Sequence, residues 1–433
     1  MFTTSVFWLR RDLRLHDNHG LYQALKQSNC VIPVFVFDSV ILSDLTDKED
    51  ARVTFIYRAL EELKRKLEKL GGTLHVLSGD PVEVIPQFLI EHNADALYAN
   101  EDYEPYAIER DECLHRSLEV EDKSFFLYTD QVVSGPGEVL KNDGNPYSVY
   151  TPYMKKWKET LPESAFDAYA SDLGLLHKHL FQEAPVKMPA IAEVGFRESD
   201  LLMPGKEITD DFLNSYSDLR NFPKYATSRL GVHLRFGTLS IRQLMKHARQ
   251  QSEVFMNELV WREFYMMILS HFPHVVTKAF KPKYDRIEWR NDEQEFARWC
   301  RGETGFPLVD AGMRQLNTIG FMHNRVRMLA ASFLVKDLLI DWRWGEAYFA
   351  EKLLDYELAS NNGGWQWAAG SGCDAAPYFR IFNPDSQWKK FDPENVYVNQ
   401  WIPEYHSVAY PQPMVDHKQA RERALAVYKK ALQ

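Results

Sequence analysis

Seven consecutive residues, Asn361-Asn362-Gly363-Gly364-Trp365-Gln366-Trp367, hold three amides, two glycines and two indoles. Paired glycines let a backbone come close to a flat ligand, because no Cβ stands in the way. Two indoles separated by one residue can face different sides of that ligand. A single Trp is ordinary core material, but the run as a whole is hard to explain by packing alone. It leads into Cys373-Asp374-Ala375-Ala376-Pro377-Tyr378-Phe379-Arg380-Ile381-Phe382-Asn383-Pro384.

Other segments carry chemistry of the same kind. In Asn257-Glu258-Leu259-Val260-Trp261-Arg262-Glu263-Phe264-Tyr265, a helix puts Glu258, Trp261, Arg262 and Tyr265 on one face. Acid, indole, guanidinium and phenol together suit a lined cavity, although an amphipathic surface with one Glu–Arg pair shows the same spacing. Gly320-Phe321-Met322-His323-Asn324-Arg325-Val326-Arg327-Met328 opens another helix, with Asn324, Arg327 and Met328 at i, i+3 and i+4. Asn offers a donor and an acceptor to a base-like edge, and Asp355 is a candidate partner for Arg327. In Tyr225-Ala226-Thr227-Ser228-Arg229-Leu230-Gly231, two hydroxyls at a helix start either cap the helix or help its free N–H groups hold a phosphate. Trp289, Trp342 and Trp365, taken singly, are core candidates.

Positioning these residues requires a sizeable fold. A length of 433 residues predicts two or more domains, and 45% hydrophobic with 26% charged residues argues against disordered and fibrous classes. Ser5–Leu9, Val31–Phe37, Thr73–Leu77, Ala96–Tyr98 and Phe125–Tyr128 read as strands. Helical patterns over Arg52–Leu70, Pro81–Glu91 and Glu104–Leu118 alternate with them. Such alternation predicts an α/β, Rossmann-like domain over residues 1–130, with a five-stranded parallel sheet covered on both sides. No G-x-G-x-x-G follows the first strand, so a dinucleotide site of that type is not expected there. Residues 131–200 read as an irregular connector. Residues 201–433 read as an all-α domain, with helices over Val254–Ser270, Leu308–Ile319, Asn324–Asp341 and Trp344–Leu353.

No apolar run reaches the ~18 residues needed to cross a bilayer, and no signal-type stretch opens the sequence, so a cytoplasmic protein is expected. Cys30, Cys113, Cys300 and Cys373 match no metal spacing; reduced thiols and no metal are expected. The net charge of −10 is unevenly spread. Residues 1–200 carry 21 Lys+Arg against 34 Asp+Glu, whereas residues 201–433 carry 30 against 27. That asymmetry allows one face to attract phosphates while the rest keeps the chain soluble.

The motifs between Asn257 and Asn383 closely resemble those of the DNA photolyase–cryptochrome family, most nearly bacterial class I photolyases acting on cyclobutane pyrimidine dimers. The similarity begins at Phe7-Trp8-Leu9-Arg10-Arg11-Asp12-Leu13-Arg14 and ends at Tyr410-Pro411-Gln412-Pro413. The resemblance implies a helical domain that holds FAD non-covalently, folded into a U, and binds DNA. Tyr216 and the segment Thr227, Ser228, Arg229, Leu230 and Gly231 are then expected at its phosphates and ribitol. Arg262, Asn324, Arg327, Asp355, Tyr356 and Glu357 are expected around its ring system, with Asn361 facing flavin N5. Phe255 stands where relatives often have Trp, and Glu357 where Asp is frequent.

The activity implied is that of a deoxyribodipyrimidine photo-lyase. Reduced FAD (FADH⁻) absorbs near-UV or blue light, donates an electron to the flipped-out dimer, and recovers it after the cyclobutane ring splits. By the same resemblance, Glu258 and Asn324 contact the lesion, Trp261 and Trp367 stack on its pyrimidines, and Met328 packs beside it. Trp365, Trp342 and Trp289 relay electrons that photoreduce oxidised flavin. Arg220, Arg262, Tyr265, Arg325 and Gln387 join the contacts to DNA. A monomer associated with the nucleoid, and not with a membrane, is expected.

Relatives often carry a second, light-harvesting chromophore in the N-terminal domain. Those that bind folate use an Asn-Glu pair where this chain has Tyr106-Ala107. That resembles relatives with a deazaflavin or another flavin, or with none. The main alternative is a cryptochrome-type blue-light sensor. Plant-type sensors carry Asp at the position of Asn361, and many carry a long C-terminal tail, so both features point to repair. Enzymes acting on the (6-4) photoproduct place His where this chain has Asn324-Arg325 and Met328. An electron-transfer flavoprotein would leave the lesion-cavity residues without a use.

Overall fold

The computed structural model describes residues 1–171 and 173–433. One sheet contains β1 (Phe2–Leu9), β2 (Ser28–Asp38), β3 (His75–Gly79), β4 (Ala96–Asn100) and β5 (Ser124–Tyr128). The order is β3-β2-β1-β4-β5, and every neighbouring pair is parallel. Val6–Leu9 and Val31–Phe37 are buried without interruption, as strands covered on both faces should be. The connecting helices are α1 (His19–Gln27), α2 (Ala51–Glu68), α3 (Pro81–Glu91) and α4 (Pro105–Val120). Asp50 and Asp80 cap α2 and α3 by accepting from Arg52 N–H and Val82 N–H. The α/β reading therefore holds, strand by strand. Helix α1 has no counterpart in that reading.

The chain forms two compact units. One holds residues 1–139, 159–206 and 230–250, with the sheet inside it; the other holds 140–158, 207–229 and 251–433. The stretch expected as a connector is thus divided between them. It also contains regular structure, chiefly α5 (Tyr150–Thr160), where Tyr150, Tyr153 and Trp157 are buried. Their i, i+3, i+7 spacing was the available signal, set in a short and strongly charged segment.

Among its described residues the second unit is helical and contains no strand. Its main helices are α6 (Asp210–Leu219), α7 (Glu253–His271), α8 (Pro307–Ile319), α9 (Asn324–Ser332), α10 (Trp342–Lys352), α11 (Leu358–Ala369), α12 (Pro384–Phe391) and α13 (His417–Leu432). Leu308, Val326, Leu334, Phe349, Trp299 and Trp365 belong to its core. The helix expected over Asn324–Asp341 is broken. It leaves α geometry after Ser332, passes through a π turn at Phe333–Asp337, and ends near Leu339, whose φ is +53°. Every residue from Leu329 to Ile340 is buried, so hydrophobic periodicity could not mark the change. The π turn buries Lys336, whose Nζ donates to Ala369 O at 3.0 Å and lies 3.6 Å from the centre of the Tyr428 ring.

Candidate functional site

Helices α7, α9, α10 and α11 enclose a cavity of about 400 Å³, inside the ~300–1,000 Å³ range of small-molecule sites. The α7 face supplies Glu258, Trp261, Arg262 and Tyr265 to its lining. From α9 come Asn324, Arg327 and Met328; from the segment before α11, Asp355, Tyr356 and Glu357; from α11 itself, Asn361, Gly364, Trp365 and Trp367. Arg220, just after α6, also lines it. Residues more than a hundred positions apart in sequence thus share one hollow.

Ion pairs fix the walls. Glu258 and Arg262 each have a partner from another segment. Glu258 accepts from Arg220 Nη1 at 2.6 Å, and Arg262 Nη2 donates to Glu357 at 2.9 Å. Arg327 Nη2 donates to both Asp355 oxygens, at 2.9 and 3.1 Å, while its Nε donates to Met322 O. The Arg–Asp pair read from sequence is therefore formed. Ser360 Oγ donates to Glu357 at 3.2 Å, which holds that carboxylate against α11.

Asn361 is anchored by a residue that the sequence reading did not single out. Its Nδ2 donates to Glu346 Oε1 at 2.9 Å and to Glu346 O at 3.1 Å. The Asn361 Oδ1 has no protein partner among the described residues, so it is available to a donor in the cavity. Burial pushes the Glu346 carboxyl up, against the hydrogen bond from Asn361. Only the long-range contact between α10 and α11 identifies Glu346.

The paired glycines have different jobs. A Cβ on Gly363 would lie 2.3 Å from the Tyr265 ring, so this glycine permits α11 to pack on α7. A Cβ on Gly364 would meet nothing within 4 Å; its open side faces the cavity. The fit to a flat heteroaromatic group is good. The hollow offers a bare backbone, an indole from Trp365, two guanidiniums held by acids, and a free amide oxygen suited to a ring N–H.

Of the three indoles expected as a relay, only Trp365 lines the cavity. It is also buried in the core. A Cβ on Gly345 would come within 2.1 Å of the Trp365 ring, and Gly345 lies one turn beyond Trp342 on α10. The Trp365 ring itself meets Phe349 edge-on at 5.0 Å and Trp299 at 6.0 Å. Backbone and side-chain bonds from Arg290 N–H to Leu339 O (2.8 Å) and from Asp341 N–H to Asn291 Oδ1 (2.9 Å) stitch the Trp289 loop to the start of α10. Trp289 is half-buried and meets the Tyr428 ring edge-on at 6.0 Å.

Other expected residues lie outside the cavity lining. Tyr216 and Phe255 pack edge-to-face at 5.0 Å, and the Arg220 guanidinium lies 5.3 Å from the Tyr216 ring. Arg229 and Arg327 both approach Phe321, at 5.1 and 5.4 Å. Thr227 and Ser228 precede a five-residue helix at Gly231–Arg235, whose cap residue Leu230 makes no side-chain cap bond. Arg325 packs 4.5 Å from the Phe391 ring and bonds Asn221, but its buried Nε has no partner. Burial, then the charges of Arg220 and Arg380, lower its guanidinium below the ordinary value. Gln387 sits half-buried on α12.

The described residues contain no cluster of side chains able to hold a metal and no helix long and apolar enough to cross a membrane. Residues 255–409 match the family model described as the FAD binding domain of DNA photolyase, and residues 5–170 match that described as DNA photolyase. The deoxyribodipyrimidine photo-lyase of Halobacterium salinarum is 37% identical, over 99% of this chain and 99% of that one. A bacterial class III photolyase structure from Agrobacterium tumefaciens superposes with a TM-score of 0.87 at 34% identity, covering 100% of this chain and 98% of that one. An archaeal photolyase from Sulfolobus tokodaii, solved with two FAD molecules, gives 0.84 at 33% identity over 99% and 100%. The cavity walls fall within the region matched to the FAD-binding model, apart from Arg220, and the sheet within the other matched region, apart from its first residues; the chain belongs to the DNA photolyase family.

Proposed function

We propose that this protein repairs cyclobutane pyrimidine dimers in DNA under light, as a class I photo-lyase. The observation that carries this reading is that Asn361, Gly364 and Trp365 line the same cavity as Glu258, Trp261, Asn324 and Trp367. One set suits a flavin ring and the other a flat, polar lesion. Bound reduced FAD would supply the photoexcited electron and take it back once the two cyclobutane C–C bonds have opened. Arg262, Arg327, Asp355, Tyr356 and Glu357 hold the ring system in this reading. Tyr216, Phe255 and the segment Thr227–Gly231 serve the remainder of the cofactor.

Glu258 orients the lesion by hydrogen bonding, and Asn324 reaches its edge. Trp261 and Trp367 give it stacking faces, each worth about 1–3 kcal/mol per base. Met328 fills the space beside them. Extrusion of the dimer from the duplex costs least where stacking is already damaged. Arg220 and Arg325, with Gln387, hold the strand by its phosphates, without reading sequence. Trp365, Trp342 and Trp289 carry electrons inward when the flavin is oxidised.

The protein acts as a monomer in this reading. Repair would place the protein with the nucleoid in the cytoplasm. For a second chromophore, a deazaflavin or flavin type is favoured over folate. Tyr106 donates its phenol to Asp38 at 2.9 Å and Ala107 is buried, so neither position offers the amide and acid that a pterin would need. The test of the main reading is illumination of flavin-reduced protein with dimer-containing DNA. Recovery of pyrimidine absorbance is expected. A blue-light sensor without repair activity would leave that absorbance unchanged.

A further inference from the structure

We infer that Tyr150, on α5, is a positioning residue for the lesion: it holds Trp261 at a fixed pitch and ties that wall to the segment beyond Trp367. This inference rests on the lesion-binding reading of the cavity.

The Tyr150 ring stacks on Trp261 with centroids 3.7 Å apart and planes at 10°. Trp261 lines the cavity and Tyr150 does not, so the phenol backs the indole from behind. Phe264 meets the same indole edge-on at 5.6 Å and 83°. A parallel ring and a perpendicular one together restrict how the indole turns about its side-chain bonds.

The phenol is itself tethered. Tyr150 OH donates to Asn257 O at 2.7 Å. Asn257 lies four residues before Trp261 on α7, so in an α-helix its carbonyl also accepts the Trp261 N–H. A carbonyl oxygen has two lone pairs and can serve both. Tyr150 thus grips both the ring of Trp261 and the turn that carries it.

The backbone end of the residue is tied to the chain beyond α11. Tyr150 N–H donates to Asp374 Oδ2 at 3.0 Å, and Asp374 N–H donates to Ser148 O at 3.2 Å. Asp374 has a φ of +33°, an uncommon conformation that gains from support. The reciprocal pair provides that support. It fixes the chain leaving α11, a few residues after Trp367. The Trp261 face is therefore ordered before any lesion enters, which saves part of the ordering cost of binding.

The test uses flavin-loaded full-length protein and two oligonucleotides, one with a single thymine dimer and one undamaged. Tyr150→Leu keeps bulk without a flat face; Tyr150→Phe keeps the face without the hydroxyl. Tyr150→Leu is expected to weaken binding of the damaged strand about ten-fold, the order of one lost stacking support. Flavin content, undamaged-strand affinity and repair rate at saturating lesion should stay near wild type. Tyr150→Phe should recover most of the loss. The inference is overturned if Tyr150→Leu discriminates as well as wild type, if both strands weaken equally, or if Tyr150→Phe fails to recover. A wild-type protein that shows no preference for the damaged strand would instead remove the lesion-binding reading itself.

Discussion

Individual side chains in the cavity do opposite work on charge. Glu258 is held by Arg220 at the mouth, where water still screens the pair, so its value lies in direction more than in stability. Glu258→Ala should leave flavin bound and the fold intact, yet lower the yield of dimer splitting several-fold. An unchanged yield per absorbed photon would remove the role given to it. Glu357 is different, because its pair with Arg262 is nearly dry. Glu357→Ala removes the carboxylate facing a buried guanidinium, a loss of about 3 kcal/mol. Thermal melting and flavin retention should fall together; retention of both would contradict the placement. Asn361 was legible from sequence as a residue type, but Glu346, which aims it, was not. No spacing rule links positions on two different helices.

Helices decide how near the indoles come. Gly345 lets α10 lie against Trp365, and a methyl there would sit 2.1 Å from the ring. Gly345→Ala should cost about 1–3 kcal/mol and slow photoreduction while sparing repair by prereduced protein. Gly364→Val should do the reverse: the melting temperature of flavin-free protein stays put, and flavin uptake drops. Equal effects of the two changes would refute the assignment of one glycine to packing and the other to the ligand. The i, i+3, i+4, i+7 face of α7 was readable because an isolated helix already brings its residues together. The π turn at Phe333–Asp337 was not, since every neighbouring residue is buried and periodicity carries no phase there. Tyr150 escaped notice for a third reason. Its importance comes from a stack and a cap on chain segments more than a hundred residues away.

Over the whole molecule, sheet and helices were legible because their patterns are local, whereas the grouping of residues 140–158 with the helical unit depends on long-range packing. Electrostatics act on the same scale. His323, buried beneath Arg327, Arg325 and Arg220, is held down at about 4, chiefly by burial and then by those charges. The unfolded chain takes up this proton near pH 6.5, and the folded one only near 4. Stability is therefore lost as pH falls through that window, by up to about 1.4 kcal/mol per pH unit from this one group. His323→Asn, which keeps a helix-capping side chain, should show a smaller loss between pH 7 and 5 in urea melts. An equal loss would exclude His323 as the source. Salt should weaken DNA binding, because phosphate contacts release counterions. The most direct measurement is light-dependent recovery of pyrimidine absorbance in dimer-containing DNA, with flavin-reduced protein and a dark control. Recovery only in the light is expected; loaded protein that binds the damaged strand yet restores nothing under illumination would contradict the repair assignment.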